Sequence, residues 1–274
     1  MADATKTEDK PKRTPKSLIT EEGVKKALEA QCGPDAELRS WEVIDFTKKG
    51  DNYACVVSSV VVTYIKYLKK QWTSFVVKLN PCEGLMSMND IAGGMFMKEG
   101  NFYTQLVPEL NKILVLSGQP ELKLAKCYNA SLNKDEEIIY LEDLRDEGFK
   151  MTDRKKGLDA PHLTLVLQEL GRMHAASMIL QGSKSKKELI ELYPCLEEKF
   201  FDKEKIKDPI MEKFSSSQTE NSSEMLEQID GYQNIAKQIK EIEFFSDAVK
   251  EIESAPPFEV ICHGDCWTNN VLFK

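Results

Sequence analysis

His263-Gly264-Asp265-Cys266-Trp267-Thr268-Asn269-Asn270 sets a carboxylate, an imidazole and two amides within eight residues. Asp265 and Asn270 stand five apart. That offset suits phosphoryl transfer: a carboxylate can accept or orient a hydroxyl proton while an uncharged amide oxygen holds a divalent cation beside phosphates. Phe258-Glu259-Val260-Ile261 and Val271-Leu272-Phe273 predict two short apolar strands that bracket the loop. The plain alternative is a polar hairpin whose Asp and Asn only make turns, which leaves the histidine and the Asp–Asn offset without a reason.

A second pair lies far upstream. Phe75-Val76-Val77-Lys78-Leu79 reads as a strand whose alternation puts Val76 and Lys78 on one face. A lysine there either snorkels to solvent, as on an edge strand, or is held by a partner. Glu99 supplies one: it falls inside a helical apolar stripe, three residues after Phe96 and four before Tyr103. A carboxylate in that stripe is unfavourable unless paired. A strand lysine followed about twenty residues later by a helix glutamate is how kinases fix the lysine that holds nucleotide phosphates. Helices also carry glutamates at the margin of a buried face, so the pair alone does not decide the matter.

Two further segments fit around these. Lys49-Gly50-Asp51-Asn52-Tyr53 joins the first two strands ahead of Lys78 and could cover phosphates, although its single glycine also suits an ordinary hairpin turn. Ile138-Ile139-Tyr140-Leu141-Glu142-Asp143-Leu144 reads as the crossover between two lobes. Backbone groups at such a crossover, here at Glu142 and Leu144, can hydrogen-bond an adenine ring; the alternative is a linker with no ligand. His174 sits on the stripe Leu163, Val166, Leu167, Leu170, Met178 and reads as a core histidine.

The elements that must position these groups are legible in outline. Residues 1–17 are Lys, Thr, Asp and Pro with little that is apolar, and read as a disordered tail. A helix is predicted from Leu18 to Gln31. Strands follow from Trp41 to Phe46, Tyr53 to Tyr64 and Ser74 to Leu79, joined by short turns into an antiparallel meander. A helix is expected from Gly94 to Leu116, then two short strands around Leu122 to Tyr128 and Ile138 to Leu141. Beyond Leu144 the pattern is helical: Leu163 to Leu180, Lys186 to Phe200, and a charged stretch from Ser223 to Ile252. Ser215-Ser216-Ser217 and Asn221-Ser222 mark a loop between helices. No internal repeat is present.

Composition narrows the function classes. The 274 residues are 41% hydrophobic and 30% charged, enough for a buried core in one large domain or two lobes. The net charge of -8 disfavours binding to a phosphate backbone, so no nucleic-acid partner is expected. No apolar run approaches the ~18–20 residues of a span, and the N-terminus lacks a secretory stretch, so a cytoplasmic chain with no membrane partner is expected. Seven scattered cysteines fit reduced thiols. Cys262 and Cys266 flank His263 and Asp265, but with three histidines in the chain and no second ligand pair at finger spacing, zinc is disfavoured.

Together these residues resemble the ecdysteroid kinase-like family, within the choline-kinase and aminoglycoside-phosphotransferase group of small-molecule kinases. The likeness runs from about Trp41 to Lys274. Its markers are Gly50-Asp51-Asn52-Tyr53-Ala54, Lys78, the helix with Phe96, Glu99, Tyr103 and Pro108, Leu141-Glu142-Asp143-Leu144 with Gly148-Phe149, Met173-His174-Ala175-Ala176-Ser177, and the loop from His263 to Asn270. The last is highly specific; the others are modest singly but stand in the right order. The resemblance implies an α+β, protein-kinase-like bilobal fold: a tail at 1–17, an antiparallel five-stranded nucleotide-binding lobe with one main helix at 18–143, and a partial helical lobe at 144–274. It implies Mg²⁺ and ATP as cofactors, with Lys78 on the α- and β-phosphates, Glu99 orienting Lys78, Gly50 to Tyr53 over the phosphates, Asp265 as catalytic base and Asn270 as a metal ligand. The acceptor would be a small-molecule alcohol, an ecdysteroid-type sterol among the candidates.

Departures qualify this. Cys55 stands where the family tends to have Ser, and Cys266 where it often has Leu. The family also continues past this loop into an Asp-Phe-Gln segment whose Asp chelates Mg²⁺. No Asp-Phe-Gln or Asp-Phe-Gly occurs here, and Ile44-Asp45-Phe46 is in the wrong lobe. The expectation is a fragment of a longer protein, or a natural truncation with crippled metal binding and little activity of its own. The rival reading is a non-catalytic kinase-like module that holds nucleotide or a partner. A metal-dependent hydrolase built on His263 and Asp265 lacks the further ligands it would need.

Overall fold

The computed structural model describes residues 15–45, 55–80, 86–134, 136–182, 184–197, 209–242 and 259–274. Met1–Lys186 with Cys262–Lys274 form one compact unit, and Lys187–Ile261 another.

The first unit opens with a 3₁₀ turn, Pro15–Leu18, so the expected tail gives way to structure three residues early; residues 1–14 lie outside the described residues. Helix α1 spans Glu21–Cys32. Thr20 caps it by accepting the Gly23 N–H at 3.1 Å, Glu21 and Glu22 favour the positive end of its dipole, and Gly33 ends it at φ +87. Strands β1 (Glu37–Ile44), β2 (Val56–Lys66) and β3 (Lys69–Leu79) form the expected meander. The turn expected at Thr47 to Asn52, with Gly50, Asp51, Asn52 and Tyr53, lies outside the described residues.

Helix α2 (Met86–Asn101) runs through a π turn at Phe102–Leu106 into α3 (Val107–Leu116). It begins eight residues before the expected start, because it continues through Gly93-Gly94, a pair that disfavours helix and read as a boundary. The π turn has its own cause. Pro108 has no N–H to continue the ladder, and the Val107 N–H reaches back to the Phe102 carbonyl. Strand β4 is Cys127–Ser131, shifted from the expected Leu122 to Tyr128. Leu122 is instead drawn into the core against α3, and its N–H donates to Asn111 Oδ1 at 2.9 Å.

Strand β5 (Ile138–Glu142) completes an antiparallel sheet of order β1-β2-β3-β5-β4. One face packs on α1 through Val60, Val62, Phe75, Val77, Leu79 and Tyr140, all fully buried. Each such side chain contributes about 1.5–3 kcal/mol by leaving water. Period-two alternation turns Ser59, Val61, Ser74, Val76 and Lys78 to the other face.

After the crossover come the two-residue strand β6 (Lys150–Met151) and the long α4 (Ala160–Gln181), capped by Asp159 and started by Pro161. The chain's last strand, β7 (Leu272–Phe273), pairs with β6. The strand expected before the polar loop does not form among the described residues: Glu259 to Ile261 belong to no strand, and Phe258 lies outside the described residues. β6 supplies partners for only two residues, and β7 takes both.

In the second unit, α5 begins at the unit boundary (Lys186–Leu192) and stops short of the expected Phe200 because Pro194 follows. Helix α6 (Pro209–Glu227) contains the serines expected to form a loop. Ser216 and Thr219 turn their hydroxyls onto helix carbonyls three residues back, which removes their competition with the backbone. The expected helix from Ser223 breaks at Gly231, φ +88, before α7 (Gln233–Lys240). The buried Ser223 hydroxyl ties the two helices by donating to the Ala236 carbonyl at 2.9 Å. Residues 243–258 lie outside the described residues.

Candidate active site

Lys78 stands on β3, an interior strand flanked by Val57 of β2 and Ile139 of β5, and not on an edge. It cannot snorkel past neighbours on both sides. Its Nζ donates to both Glu99 carboxylate oxygens at 2.7 Å. Glu99 comes from α2, whose Phe96 packs with Ile139, Leu141, Val76 and Tyr103 to fix the helix against this sheet face. The two side chains keep 26% and 32% of their surface, so the pair is partly sheltered and still reachable.

Three described titratable groups close to this pair have shifted proton affinities. Burial pushes the Cys55 thiol up; Lys78 pulls it down and Glu99 pushes it up, with burial dominant. Cys127 is pushed up to about 11 by burial, against a backbone hydrogen bond with Asn129 and with help from Glu99. Tyr103 is pushed well up by burial first and Glu99 second. All three stay neutral at ordinary pH, which leaves Lys78 and Glu99 to answer each other.

The polar loop has a geometry of its own. Gly264 takes φ +80, a conformation L side chains rarely adopt, and the Asp265 N–H donates to His263 Nδ1 at 3.2 Å. A 3₁₀ turn over Thr268–Asn270 brings Asn270 back to Asp265. Asn270 Nδ2 donates to both the Asp265 carbonyl and Asp265 Oδ2 at 2.8 Å. That aims the amide nitrogen at Asp265 and leaves Asn270 Oδ1 and Asp265 Oδ1 without a hydrogen-bond partner among the described residues. The loop is tethered through β7: Phe273 meets the His162 ring edge-on at 4.5 Å, and His162 is held by Asp159.

At the crossover, Glu142 Oε2 accepts the Lys126 N–H at 3.2 Å, and Leu144 begins a 3₁₀ turn to Glu147. The Leu144 carbonyl is used within that turn, accepting from Phe149 at 3.2 Å, while its N–H makes no hydrogen bond among the described residues. Sequence reasoning missed what surrounds it. Asp143 is buried and accepts from Ser74 Oγ at 2.7 Å and from Arg145 Nε at 2.8 Å; Arg145 Nη2 also donates to Ser59 Oγ at 2.9 Å. This network borders a cavity of about 330 Å³ on the sheet face that carries Lys78. The signal was present: Ser59 and Ser74 alternate with apolar residues on inner strands, where a hydroxyl requires a partner.

The structure therefore brings Lys78 to Glu99 and Asp265 to Asn270. No hydrogen bond or ion pair links one pair to the other among the described residues. Gly50, Asp51, Asn52 and Tyr53 lie outside them. The donors suit Mg²⁺ and a nucleotide: hard oxygens at Asp265 and Asn270, and a cation at Lys78. Mg²⁺ is ordinarily held by one or two protein ligands together with phosphate oxygens. Among the described residues no group of three or more His, Cys, Asp or Glu could hold a metal ion.

Residues 49–274 match the family model described as ecdysteroid kinase-like. No curated protein and no solved structure matches the chain.

Proposed function

The chain belongs to the ecdysteroid kinase-like family, and from that premise we propose that it is an ATP-dependent phosphotransferase acting on a hydroxyl of a small molecule, a sterol of the ecdysteroid type among the acceptors. The observation that carries the reading is Lys78 on an interior strand with both oxygens of Glu99 at 2.7 Å. A phosphate-holding lysine needs that restraint, since an unrestrained ammonium would lose its position to side-chain entropy.

In this reading the nucleotide-binding lobe spans 18–143 and the helical lobe 144–274. Lys78 holds the α- and β-phosphates, Gly50 to Tyr53 cover them, and the adenine edge meets backbone at Glu142 and Leu144. The unbonded Leu144 N–H supports that last assignment. Asp265 Oδ1 accepts the acceptor's proton, and Asn270 Oδ1 holds Mg²⁺ with the phosphates. A bound Mg²⁺ supplies neutralisation of the charge that develops on the transferring group. Cys32, Cys55, Cys127 and Cys266 carry free thiols, which supports a reducing compartment such as the cytoplasm.

A binding assay with a fluorescent ATP analogue, followed by phosphate transfer to a panel of small alcohols, tests the proposal. Mg²⁺-dependent saturation lost in Lys78→Met, together with phosphorylation of one acceptor class, is the expected outcome. Equal binding by wild type and Lys78→Met overturns it. The rival reading, a kinase-like module that binds nucleotide without turnover, is favoured by one observation: Asn270 donates to Asp265 and occupies one oxygen of the proposed base. Saturable binding with no transfer to any acceptor would select it.

A further inference from the structure

The hairpin between β2 and β3 is built against its own turn chemistry. Lys66 pairs with Lys69, leaving Tyr67 and Leu68 as a two-residue turn. They take φ 51 and φ 61, and are the non-glycine residues with positive φ among those described. Turns of this kind require φ > 0 at both central positions and are normally filled by Asn-Gly. A tyrosine and a leucine there are strained, with no packing in return: Tyr67 is 74% exposed and Leu68 99%. Trp72, 66% exposed, continues the apolar surface along β3.

The charge around this tip is opposite to that of the chain. Lys66, Lys69 and Lys70 lie within five residues that contain no acid, in a protein of net charge -8. Lys66 donates to the Cys32 carbonyl and lies 5.1 Å from the Tyr67 ring centroid, so it props the tyrosine outward; Lys69 and Lys70 are exposed. The neighbouring acid, Glu37, is already paired with Arg39 at 2.7 Å. Screening confines each field to roughly 8 Å at physiological salt, so the local lysines and not the net charge decide what approaches the tip.

We propose that this hairpin tip docks on an anionic phospholipid surface, with Leu68 entering the acyl boundary, Tyr67 and Trp72 at headgroup level, and Lys69 and Lys70 on lipid phosphates. Two protruding side chains are too small a contact for a stable protein interface, which buries roughly 1,200–2,000 Å². They match interfacial insertion, where an aromatic, an aliphatic and a ring of lysines act together. No helix among the described residues is long and apolar enough to cross a membrane, so the contact is peripheral. The proposal departs from the expectation of no membrane partner. The proposal is independent of the nucleotide reading.

Vesicle sedimentation of the purified chain tests it, using phosphatidylcholine alone and phosphatidylcholine with phosphatidylserine. Wild type should pellet with the anionic vesicles and release as salt rises from ~0.1 M to ~0.5 M. Lys69→Ala with Lys70→Ala should weaken binding about thirtyfold, at about fivefold for each lysine. The decisive variant is Tyr67→Asn with Leu68→Gly. It should raise the melting temperature, since it installs the preferred turn, and abolish vesicle binding. No wild-type pelleting with anionic vesicles, undiminished binding by that variant, or a lowered melting temperature in it would each overturn the proposal; the last would show that the pair serves the fold.

Discussion

Arg145 grips Asp143 through Nε at 2.8 Å and Nη2 at 2.5 Å, and the same Nη2 reaches Ser59 on the sheet. The crossover after β5 is thereby fastened to two inner strands at once, since Ser74 of β3 also donates to Asp143. The adenine contact proposed for backbone at Glu142 and Leu144 would depend on that fastening. Burial alone would raise the Asp143 carboxyl, but hydrogen bonds from Arg145 and Ser74, with the Arg145 charge, hold it below the ordinary aspartate range.

The pH consequence follows in sign. Because the native carboxyl binds its proton less readily than the unfolded one, the unfolded chain holds more protons in acid, and stability drops as the pH is lowered. The contribution is complete above about pH 4 and disappears as pH drops through the native value. Asp143→Asn should flatten the acid limb of a melting-temperature profile between about pH 5 and pH 2. Asp143→Ala should cost about 2 kcal/mol, discounted because the Arg145 side of the pair is open to solvent. An acid limb unchanged in Asp143→Asn would assign it to other carboxylates.

Lys78 and Glu99 should behave as a coupled unit. Lys78→Met removes the proposed charge-assisted phosphate contact and should weaken nucleotide binding by about 10–100-fold, with the fold retained. Glu99→Gln keeps the shape but lets the ammonium wander, so its loss should be smaller and should vanish in the Lys78→Met background. Additive losses in the two single variants, measured by nucleotide titration, would mean that Glu99 does not act through Lys78.

Much of this arrangement was readable from residue types, and what was not has identifiable physical causes. The sheet and the Lys78–Glu99 contact were legible because alternation on β3 and helical spacing around Phe96 are strong local signals. The π turn before Pro108 was not, because it answers a missing N–H one turn away. The serines of α6 read as a loop because Ser disfavours helix in isolation, whereas here Ser216 bonds back to Lys213. The strand expected before His263 was misjudged because an apolar run of four does not state whether an unpaired neighbour exists. Asp143 and Arg145 were invisible as a pair because their partners, Ser74 on β3 and Ser59 on β2, lie 69 and 86 residues away in sequence.

Asp265 and Asn270 separate chemistry from scaffolding. With an acceptor and ATP in hand, Asp265→Asn should depress turnover by ~10²–10⁴-fold while nucleotide affinity holds. If Asn270 holds Mg²⁺ as proposed, Asn270→Ala should instead raise the Mg²⁺ concentration needed for half-maximal activity; the substitution also frees Asp265 Oδ2. Near-normal turnover in Asp265→Asn would put the base elsewhere.

The closest constraint on Glu99 is its neighbour. A Cβ on Gly100 would run into Leu132 Cδ2 and lie 2.9 Å from Cδ1, inside contact distance. Gly100→Ala should gain up to about 1 kcal/mol of helix propensity, yet the clash should outweigh it and leave a net loss of about 1–2 kcal/mol. If the strain is relieved by the helix rather than by Leu132, Glu99 leaves Lys78 and nucleotide affinity falls along with the melting temperature. Leu132→Ala opens the space, so the double variant should recover both quantities relative to Gly100→Ala alone. Recovery of the melting temperature without recovery of affinity would show that the helix has a second resting position on the sheet. A Gly100→Ala protein as stable as wild type would show that Leu132 moves aside freely and that this contact does not hold α2 in register.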